Sequence, residues 1–344
     1  MARMKKIVHL IAGARPNFIK LAPLWRSLKD MAWCDPRIIH TGQHDTQEMS
    51  GVFFAELNLP RPHVQLPSDG SVESVMKFYK SFLCYDRPYA TIVIGDVNST
   101  AGAALAAAYA GVPVVHLEAG LRSFDQSMPE EINRVITDAV SSLLWVHSRE
   151  AMDNLVREDR RGMIEFVGNI LADTLRLYGP SIRMRDEPYT LVTLHRPSNV
   201  DNAERLLACI KAIASIPGEI RWVLHPRTER KLVDFGIKLP SSFRMYTPCG
   251  YSEFIDLLAS ASVVVTDSGG VQEETTLLRV PCLTLRPNTE RPVTLLATNF
   301  LTTPENLLRD WAASAQMSWY PLPDLWDGFT ADRCAASLRA FLDA

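Results

Sequence analysis

The stretch ASVVVTDSGGVQEETT, residues 261–276, passes from an apolar run into a polar segment through a Ser-Gly-Gly turn. The valine run is typical of a buried strand, and the polar segment is typical of a helix start. A strand that leads directly into a helix is the repeating unit of parallel sheets. The stretch therefore predicts an α/β fold with Ser268, Gly269 and Gly270 at the carboxyl end of a strand.

The same alternation of aliphatic runs and helical patterns continues along the chain. The predicted strands in the first half are KIVHLIAG, RIIHTGQ, ATIVIGD, VPVVHLEAG, LLWVHS and IEFVGN. Those in the second half are TLVTLHRP, IRWVLHPRT, FRMYTPCG, SVVVTDSGG and VPCLTLRPN. The series restarts after the polar stretch 178–190, which predicts two doubly wound, Rossmann-like α/β domains.

The predicted boundaries are residues 1–176 for the first domain and 177–326 for the second. The amphipathic segment 327–344 predicts a closing helix that packs back on the first domain. Ligands of doubly wound sheets bind beyond the carboxyl ends of the strands. We therefore expect the active site in the cleft between the domains.

Composition narrows the function classes. The chain of 344 residues is 47% hydrophobic with a formal net charge of -3, which argues against a protein that binds nucleic acid by neutralising phosphates. Its longest weakly polar stretch, 100–115, is too short to span a membrane, and the basic, apolar start predicts a first strand and not a signal peptide. The six cysteines lack any C-x-x-C pair, which predicts buried, reduced thiols in a cytoplasmic protein and no zinc site.

The Ser268–Gly270 turn has the chemistry of an anion site. Backbone amides and the dipole at a helix start favour negative oxygens, and glycine allows a close approach. Glu274 lies six residues after Ser268, about one and a half helical turns, where a carboxylate can accept hydrogen bonds from a ribose diol. Together these features predict a nucleoside diphosphate. The alternative is a plain helix start capped by Asp267 or Ser268. The turn matches neither a Walker loop nor G-x-G-x-x-G, so no ATP hydrolysis and no nicotinamide cofactor is predicted.

Cations and acids follow other strand ends. The cations are Arg15 and Lys20, His195 and Arg196, and His225 and Arg227. Each alone is explained by a solvated loop, but their common position at one sheet edge suits a diphosphate. The acids are Asp96, Glu118, Glu130 and Glu131. Neighbouring carboxylates with different environments can perform acid and base steps, although Asp96 as a helix cap and Glu130 as a first-turn acid are alternatives.

Ten motifs occur in one order along residues from about 6 to 300. They are GARPNFIK, TGQHD, GDVNST, HLEAGLRS, MPEEINR, VGN, HRPSNVD, HPRT, TDSGGVQEETT and NTERPVT. In these motifs and in their order the chain resembles the non-hydrolysing UDP-N-acetylglucosamine 2-epimerases. That family also resembles GT-B glycosyltransferases in its two-domain fold.

The resemblance implies roles for particular residues. As catalytic residues it implies Asp96, Glu118, Glu130 and His195. As UDP-binding residues it implies Arg15, Lys20, His195, Arg196, Ser268, Gly269, Gly270, Glu274 and Arg291. Gln43 and His44 match a region that lines a second, regulatory nucleotide-sugar site in bacterial members.

The resemblance also implies a reaction. A base removes the C2 proton of UDP-N-acetylglucosamine while UDP leaves C1, which gives 2-acetamidoglucal. Return of a proton to the opposite face and of UDP to C1 gives UDP-N-acetylmannosamine for cell-surface polysaccharide synthesis. No cofactor or metal is required. The implied protein is a cytoplasmic homodimer whose partner is its UDP-sugar, with no nucleic acid and no membrane.

Four alternatives remain at this point. The first is an enzyme that hydrolyses the intermediate to UDP and N-acetylmannosamine. The second is an epimerase of a modified UDP-HexNAc, such as a diacetamido uronic acid. The third, a GT-B glycosyltransferase, needs an acceptor pocket and not three acids. The fourth is a silent nucleotide-sugar binder, against which the complete set of acids argues.

Overall fold

The computed structural model describes residues 5–42, 54–180, 188–314 and 321–344. These residues form two compact units. The first comprises Met1–Tyr178 together with Asp324–Ala344, and the second comprises Gly179–Pro323.

The first unit is built on a parallel sheet of seven strands. The strands are β1 (Lys6–Ala12), β2 (Cys34–His40), β3 (Val64–Gln65), β4 (Ala90–Ile94), β5 (Val114–Leu117), β6 (Leu143–Val146) and β7 (Met163–Phe166). Its helices are α1 (Arg15–Lys29), α2 (Val72–Phe82), α3 (Asn98–Tyr109), α4 (Pro129–Val140), α5 (Arg149–Arg157) and α6 (Ile170–Tyr178). The strand order β3-β2-β1-β4-β5-β6-β7 is that of a doubly wound fold.

The second unit repeats this plan with six parallel strands in the order β10-β9-β8-β11-β12-β13. The strands are β8 (Tyr189–Thr193), β9 (Glu219–Val223), β10 (Phe243–Tyr246), β11 (Val263–Thr266), β12 (Cys282–Leu285) and β13 (Asn299–Thr302). The helices are α7 (Pro197–Val200), α8 (Ala203–Ala214), α9 (Pro226–Asp234), α10 (Tyr251–Ser260), α11 (Gly269–Leu278) and α12 (Leu307–Ser314), with a 3-10 turn at Pro292–Leu296.

The last helix, α13 (Thr330–Asp343), packs on the first unit. The carboxylate of Asp173 on α6 accepts hydrogen bonds from the backbone amides of Thr330 and Ala331, both at 2.9 Å, and so caps the helix. Near the other end of the helix, Nζ of Lys6 lies 2.7 Å from Oδ1 of Asp343.

Burial explains why these segments form a sheet with helices on it. Strands β4, β5, β6, β8, β11 and β12 are buried along their whole length, as expected for central strands of parallel sheets. The alanine-rich α3 packs closely against α2, because a Cβ at Gly102 would lie 2.9 Å from Cβ of Val75. The second unit has its own core around the fully buried Trp222.

The predicted strands are confirmed, and the structure adds two that the pattern did not indicate. These are β3, only two residues long, and β13, a partly exposed edge strand. One expectation about the thiols is wrong: Cys84 is exposed and Cys249 is partly exposed, whereas the other four cysteines are buried. Cys84 lies in the turn after α2 and Cys249 in the loop after β10, outside the strands and helices that pack the core.

Two further features concern the described ranges only. No helix there combines the length and the apolar character needed to cross a membrane. Nor does any group of three or more His, Cys, Asp or Glu side chains in these ranges form a place for a metal ion.

Candidate active site

Both sheets have a topological switch point, where neighbouring strands send the chain in opposite directions along the sheet. In the first unit it lies between β1 and β4, and in the second between β8 and β11. Ligands of doubly wound folds bind at the carboxyl edge near such points. Lys20, Asp96, His195 and Ser268 follow these four strands, whereas Glu118 follows β5 and Glu130 lies on α4.

Lys20 and Glu118 form a buried ion pair in the first unit. Lys20 is on the second turn of α1, and its Nζ lies 2.5 Å from Oε2 of Glu118, which directly follows β5. The backbone of Glu118 has φ of 72°, a left-handed conformation that is unfavourable for a residue with a side chain. Its other oxygen, Oε1, is buried without a hydrogen bond to any described residue. The pair therefore holds one carboxylate oxygen and leaves the second for another partner.

Asp96 lies one residue past a glycine that approaches this pair. A Cβ at Gly95 would be 3.5 Å from Oε2 of Glu118, so the turn after β4 passes next to the carboxylate. The side chain of Asp96 is 26% exposed, and its Oδ2 lies 3.4 Å from Nη2 of the buried Arg134. It does not cap α3, because Val97 holds the cap position. Asp96 is thus a partly exposed acid in the turn that passes beside the Lys20–Glu118 pair.

The two glutamates at the start of α4 differ sharply. Glu131 is buried, and its carboxylate accepts hydrogen bonds from the amides of Ser123 and Phe124 and from Nη1 of Arg134, at 2.8 to 2.9 Å. It fixes the loop before the helix. Glu130 is only partly buried, so it remains available to a ligand. The structure therefore separates a structural acid from the predicted catalytic one.

Asp267 anchors the loops of the second unit. It is fully buried directly after β11, and it accepts hydrogen bonds from the backbone amides of His195 and Arg196 at 3.0 Å and from Nδ2 of Asn199 at 3.1 Å. Nδ1 of His195 lies 3.4 Å from the same carboxylate. Asp267 therefore joins the loop after β8 to the Ser-Gly-Gly turn and does not act as a helix cap.

The helix start at the Ser-Gly-Gly turn has the predicted geometry. Ser268 occupies the cap position of α11 without a side-chain capping bond, and Gly269 and Gly270 are the first helical residues. A Cβ at Gly269 would lie 2.8 Å from Oε1 of Glu290 and overlap Nη1 of Arg291, whereas a Cβ at Gly270 would meet no atom closer than 4.0 Å. Gly270 thus faces open space. Glu274 is buried in the second turn of the helix.

A cluster of charges, all buried except the partly buried Arg196, lies near this helix start. It contains the cations Arg196, Arg286 and Arg291 and the acids Glu273 and Glu290. Glu290 lies 2.5 Å from Arg291 and 2.7 Å from Arg286, and Glu273 lies 2.8 Å from Arg291. Burial lowers the pKa of Arg286, and its Nη1 is buried without a hydrogen bond to any described residue. The buried carboxylates of Asp267 and Glu274 lie at the same helix start, so the amides and the dipole of the helix, and not a surplus of side-chain charge, are what favour an anion there.

The two predicted histidines of the second unit lie close together. The rings of His195 and His225 are 5.0 Å apart between centroids. His225 caps α9 through its Nδ1, and Arg227 pairs with Asp201 at 2.5 Å. Arg15 is the first residue of α1, and Gln43 and His44 lie outside the described residues.

The family model described as UDP-N-acetylglucosamine 2-epimerase matches residues 26–317. The chain belongs to this family.

Two relatives illustrate the range of the UDP-N-acetylglucosamine 2-epimerase family. The UDP-N-acetylglucosamine 2-epimerase of Methanocaldococcus jannaschii is 41% identical over 314 residues, which cover 84% of this chain and 86% of that protein. The UDP-2,3-diacetamido-2,3-dideoxy-D-glucuronate 2-epimerase of Pseudomonas aeruginosa is 38% identical over 301 residues, which cover 83% and 84%.

The fold agrees with that of a solved epimerase. The crystal structure of the Methanocaldococcus jannaschii enzyme in complex with UDP-GlcNAc and UDP matches with a TM-score of 0.89 and 36% identity, over 97% of this chain and 99% of that one. The predicted fold class, two doubly wound α/β domains as in GT-B-like epimerases, is confirmed.

Some residues around the candidate site were not predicted. They are Arg134, Glu131 as a loop anchor, Asp267 as a loop anchor, Glu273 and Glu290. For Asp267 the signal was present, because an acid directly after a fully apolar strand must be buried and needs donors. Glu290 has Arg286 four residues before it and Arg291 next to it, and Arg134 has Glu131 three residues before it on the same helix. Only the contacts of Arg134 with Asp96 and of Glu290 with Arg196 join distant positions, for which the sequence contains no local signal.

Proposed function

We propose that the protein interconverts UDP-N-acetylglucosamine and UDP-N-acetylmannosamine by elimination and re-addition of UDP through 2-acetamidoglucal. The observation that carries this proposal is the Lys20–Glu118 pair beside Asp96 in a chain of the epimerase family. In this proposal the acids of the first unit perform the proton transfers, and the anion site of the second unit binds the UDP group.

The acids supply the proton transfers. Removal of the C2 proton needs a base, and return of a proton to the opposite face needs a separate acid, so at least two carboxyl groups are required. Oε1 of Glu118 has no hydrogen bond to any described residue, and Asp96 and Glu130 are partly exposed. We assign Asp96 and Glu118 to the proton transfers and Glu130 to the role of third acid.

The second unit retains the leaving group. The amides of Gly269 and Gly270 at the start of α11, with Ser268, bind the diphosphate, and the arginines near this helix start stabilise it. His195, which Asp267 holds at the end of β8, lies beside the diphosphate, and Glu274 accepts hydrogen bonds from the ribose. We propose Arg15 as a further UDP contact, whereas Lys20, whose charge is paired with Glu118, orients that carboxylate. UDP that stays bound is available for the return step.

A second substrate is favoured by one specific observation. The Pseudomonas aeruginosa relative, named as a UDP-2,3-diacetamido-2,3-dideoxy-D-glucuronate 2-epimerase, is nearly as similar as the Methanocaldococcus jannaschii one. The chemistry at C2 is the same for both sugars. We therefore propose the modified UDP-sugar as the alternative substrate of the same acids.

The test is incubation with each UDP-sugar in D2O, followed by NMR of the sugar. Epimerisation places deuterium at C2 and gives a mixture of two UDP-sugars. Free N-acetylmannosamine would identify a hydrolysing enzyme, and a fully protonated C2 in both sugars would contradict the proposal. Asp96→Asn is the matched variant: it should bind UDP normally and lose exchange by about 100-fold or more.

Two finer points belong to the same proposal. We propose a homodimer, as the resemblance to the epimerase family implies, and a cytoplasmic location, as the scattered cysteines predict. Sedimentation of the purified protein at several concentrations tests the first, and fractionation of cells tests the second.

A further inference from the structure

A buried histidine bridges the two turns that carry the proposed acids. His116 lies on β5 with no exposed surface. Its Nε2 is 2.8 Å from the backbone oxygen of Gly95, the residue before Asp96. A carbonyl oxygen can only accept, so Nε2 carries the hydrogen and donates it. The imidazole ring therefore fixes the turn that presents Asp96.

The other side of the ring is held by a buried carboxylate. Nδ1 of His116 is 2.6 Å from Oδ1 of Asp138 on α4. Oδ2 of the same carboxylate accepts hydrogen bonds from the backbone amide of Gly120 at 3.1 Å and from Nη2 of Arg122 at 2.7 Å. Burial raises the pKa of Asp138, but His116 and Arg122 outweigh it and hold that pKa below its usual value. An ionised Asp138 thus fixes the turn that follows Glu118.

We infer that His116 and Asp138 are positioning residues that set the distance between Asp96 and Glu118. One continuous chain of hydrogen bonds runs from the Gly95 carbonyl through the imidazole and the carboxylate to the Gly120 amide. The inference rests on the proposed function, because it gives these two acids the proton transfers. Neither positioning residue contacts the substrate.

The first unit also contains a matched control. His9 on β1 is equally buried, with Nδ1 2.9 Å from the hydroxyl of Tyr79 and Nε2 3.2 Å from Oδ2 of Asp86. This second His–Asp pair contacts none of the proposed site residues. Substitution of either histidine removes a buried, hydrogen-bonded ring, but only His116 is connected to the acids.

Two substitutions separate the contacts of His116. An Asn side chain places its amide nitrogen near the position of Nδ1, so His116→Asn keeps the contact with Asp138 and loses the donation to Gly95. A Gln side chain places its amide nitrogen near Nε2, so His116→Gln keeps the donation to Gly95. His9→Asn is the control, since it loses the contact with Asp86 in the same way.

The experiment measures kcat and KM for epimerisation, UDP affinity and Tm of the four proteins. A shift of about 1 Å in a catalytic group can lower the rate by about 100-fold. We expect His116→Asn to lower kcat by about that factor, with KM and UDP affinity unchanged. The kcat of His116→Gln should be about tenfold higher than that of His116→Asn. His9→Asn should lower Tm about as much as His116→Asn does, and its kcat should equal that of the wild type.

Distinct results would overturn the inference. Equal kcat values for His116→Asn and His9→Asn would show that the histidine only stabilises the fold, as would equal kcat values for the Asn and Gln variants. If His116→Asn does not fold, Asp138→Asn replaces it, and an unchanged kcat there would overturn the inference. If the wild-type protein shows no C2 exchange, the proposed function itself is refuted. The wild-type measurement therefore distinguishes that failure from a failure of the inference about His116.

Discussion

Nζ of Lys20 lies 2.5 Å from Oε2 of Glu118, and both groups are buried. The ammonium group fixes the orientation of the carboxylate, and the left-handed backbone at Glu118 aims it. Oε1 is consequently the oxygen that remains to exchange a proton with a ligand. The first prediction tests this assignment.

Glu118→Gln should lower the rate of C2 exchange by about 100-fold to 10,000-fold, the range typical of a lost general base or acid. The amide keeps the shape of the side chain and can still accept from Lys20, so the fold should remain. UDP affinity should not change, because the anion site is in the second unit. Glu165→Gln, a change on β7, is the control and should exchange at the wild-type rate. Equal rates for both variants would exclude Glu118 from proton transfer.

Gly269→Ala should destabilise the second unit, and Gly270→Ala should not. The methyl group at position 269 would overlap Arg291 and crowd Glu290, which have to move apart. At position 270 the methyl group meets only open space, and alanine is the better helix former by about 1 kcal/mol. Thermal unfolding gives the comparison. Since we place a phosphate in that open space, Gly270→Ala should weaken UDP binding without lowering Tm, and unchanged UDP binding would contradict the placement.

Asp267→Asn should displace His195 and weaken UDP binding. Asp267 accepts from two backbone amides and Asn199, and an amide group cannot accept on both sides. A buried donor that loses its acceptor costs about 1 to 3 kcal/mol. Calorimetric titration with UDP and thermal unfolding together measure the change. Asp201→Asn, which removes the exposed partner of Arg227, is the control and should change stability by less than about 1 kcal/mol.

The stability of the protein should fall between pH of about 6.5 and about 4 because of His9. Burial lowers the pKa of His9 from 6.5 to about 4, and this effect exceeds the attraction of Asp86. In that window the unfolded chain binds a proton that the folded chain does not, so the free energy of unfolding falls as the pH is lowered. The lowered pKa of His9 should reduce the free energy of unfolding by about 3 kcal/mol at the acid end of this window.

Urea unfolding of wild type and His9→Asn at several pH values measures the effect of His9. The difference between the two free energies of unfolding should change across this window and be constant above it. A difference that is constant throughout would mean that His9 titrates alike in the folded and the unfolded chain.

The fold was predictable because its signals are local. Each central strand of a doubly wound sheet is a short aliphatic run, and each ends in a polar residue at the ligand edge, as Asp96, Glu118 and Asp267 do. Strand β3 was missed because two residues carry no pattern, and β13 because an edge strand is only partly buried.

The site was predictable only in its outline. Motif and strand position indicated Glu118 and Lys20 separately, but their contact joins residues 98 positions apart. Glu131 is buried and Glu130 is not, because the helix directs the side chain of Glu131 toward the loop at Ser123. The sequence of two adjacent glutamates does not show which of them has this orientation. Arg286 and Arg291 are close to Glu290 in the sequence, but the contact of Glu290 with Arg196 joins residues on different elements.

The return of α13 to the first unit has a consequence for biogenesis. The ribosome delivers the chain from its amino end, and domains fold as units during synthesis. The second unit, Gly179–Pro323, is therefore complete while the first still lacks the helix that contacts α1 and α6 through Asp332 and Thr330. The first unit is therefore synthesised first but is completed last. A nascent chain stalled before residue 330 should expose the faces of α1 and α6 that contact α13 to protease.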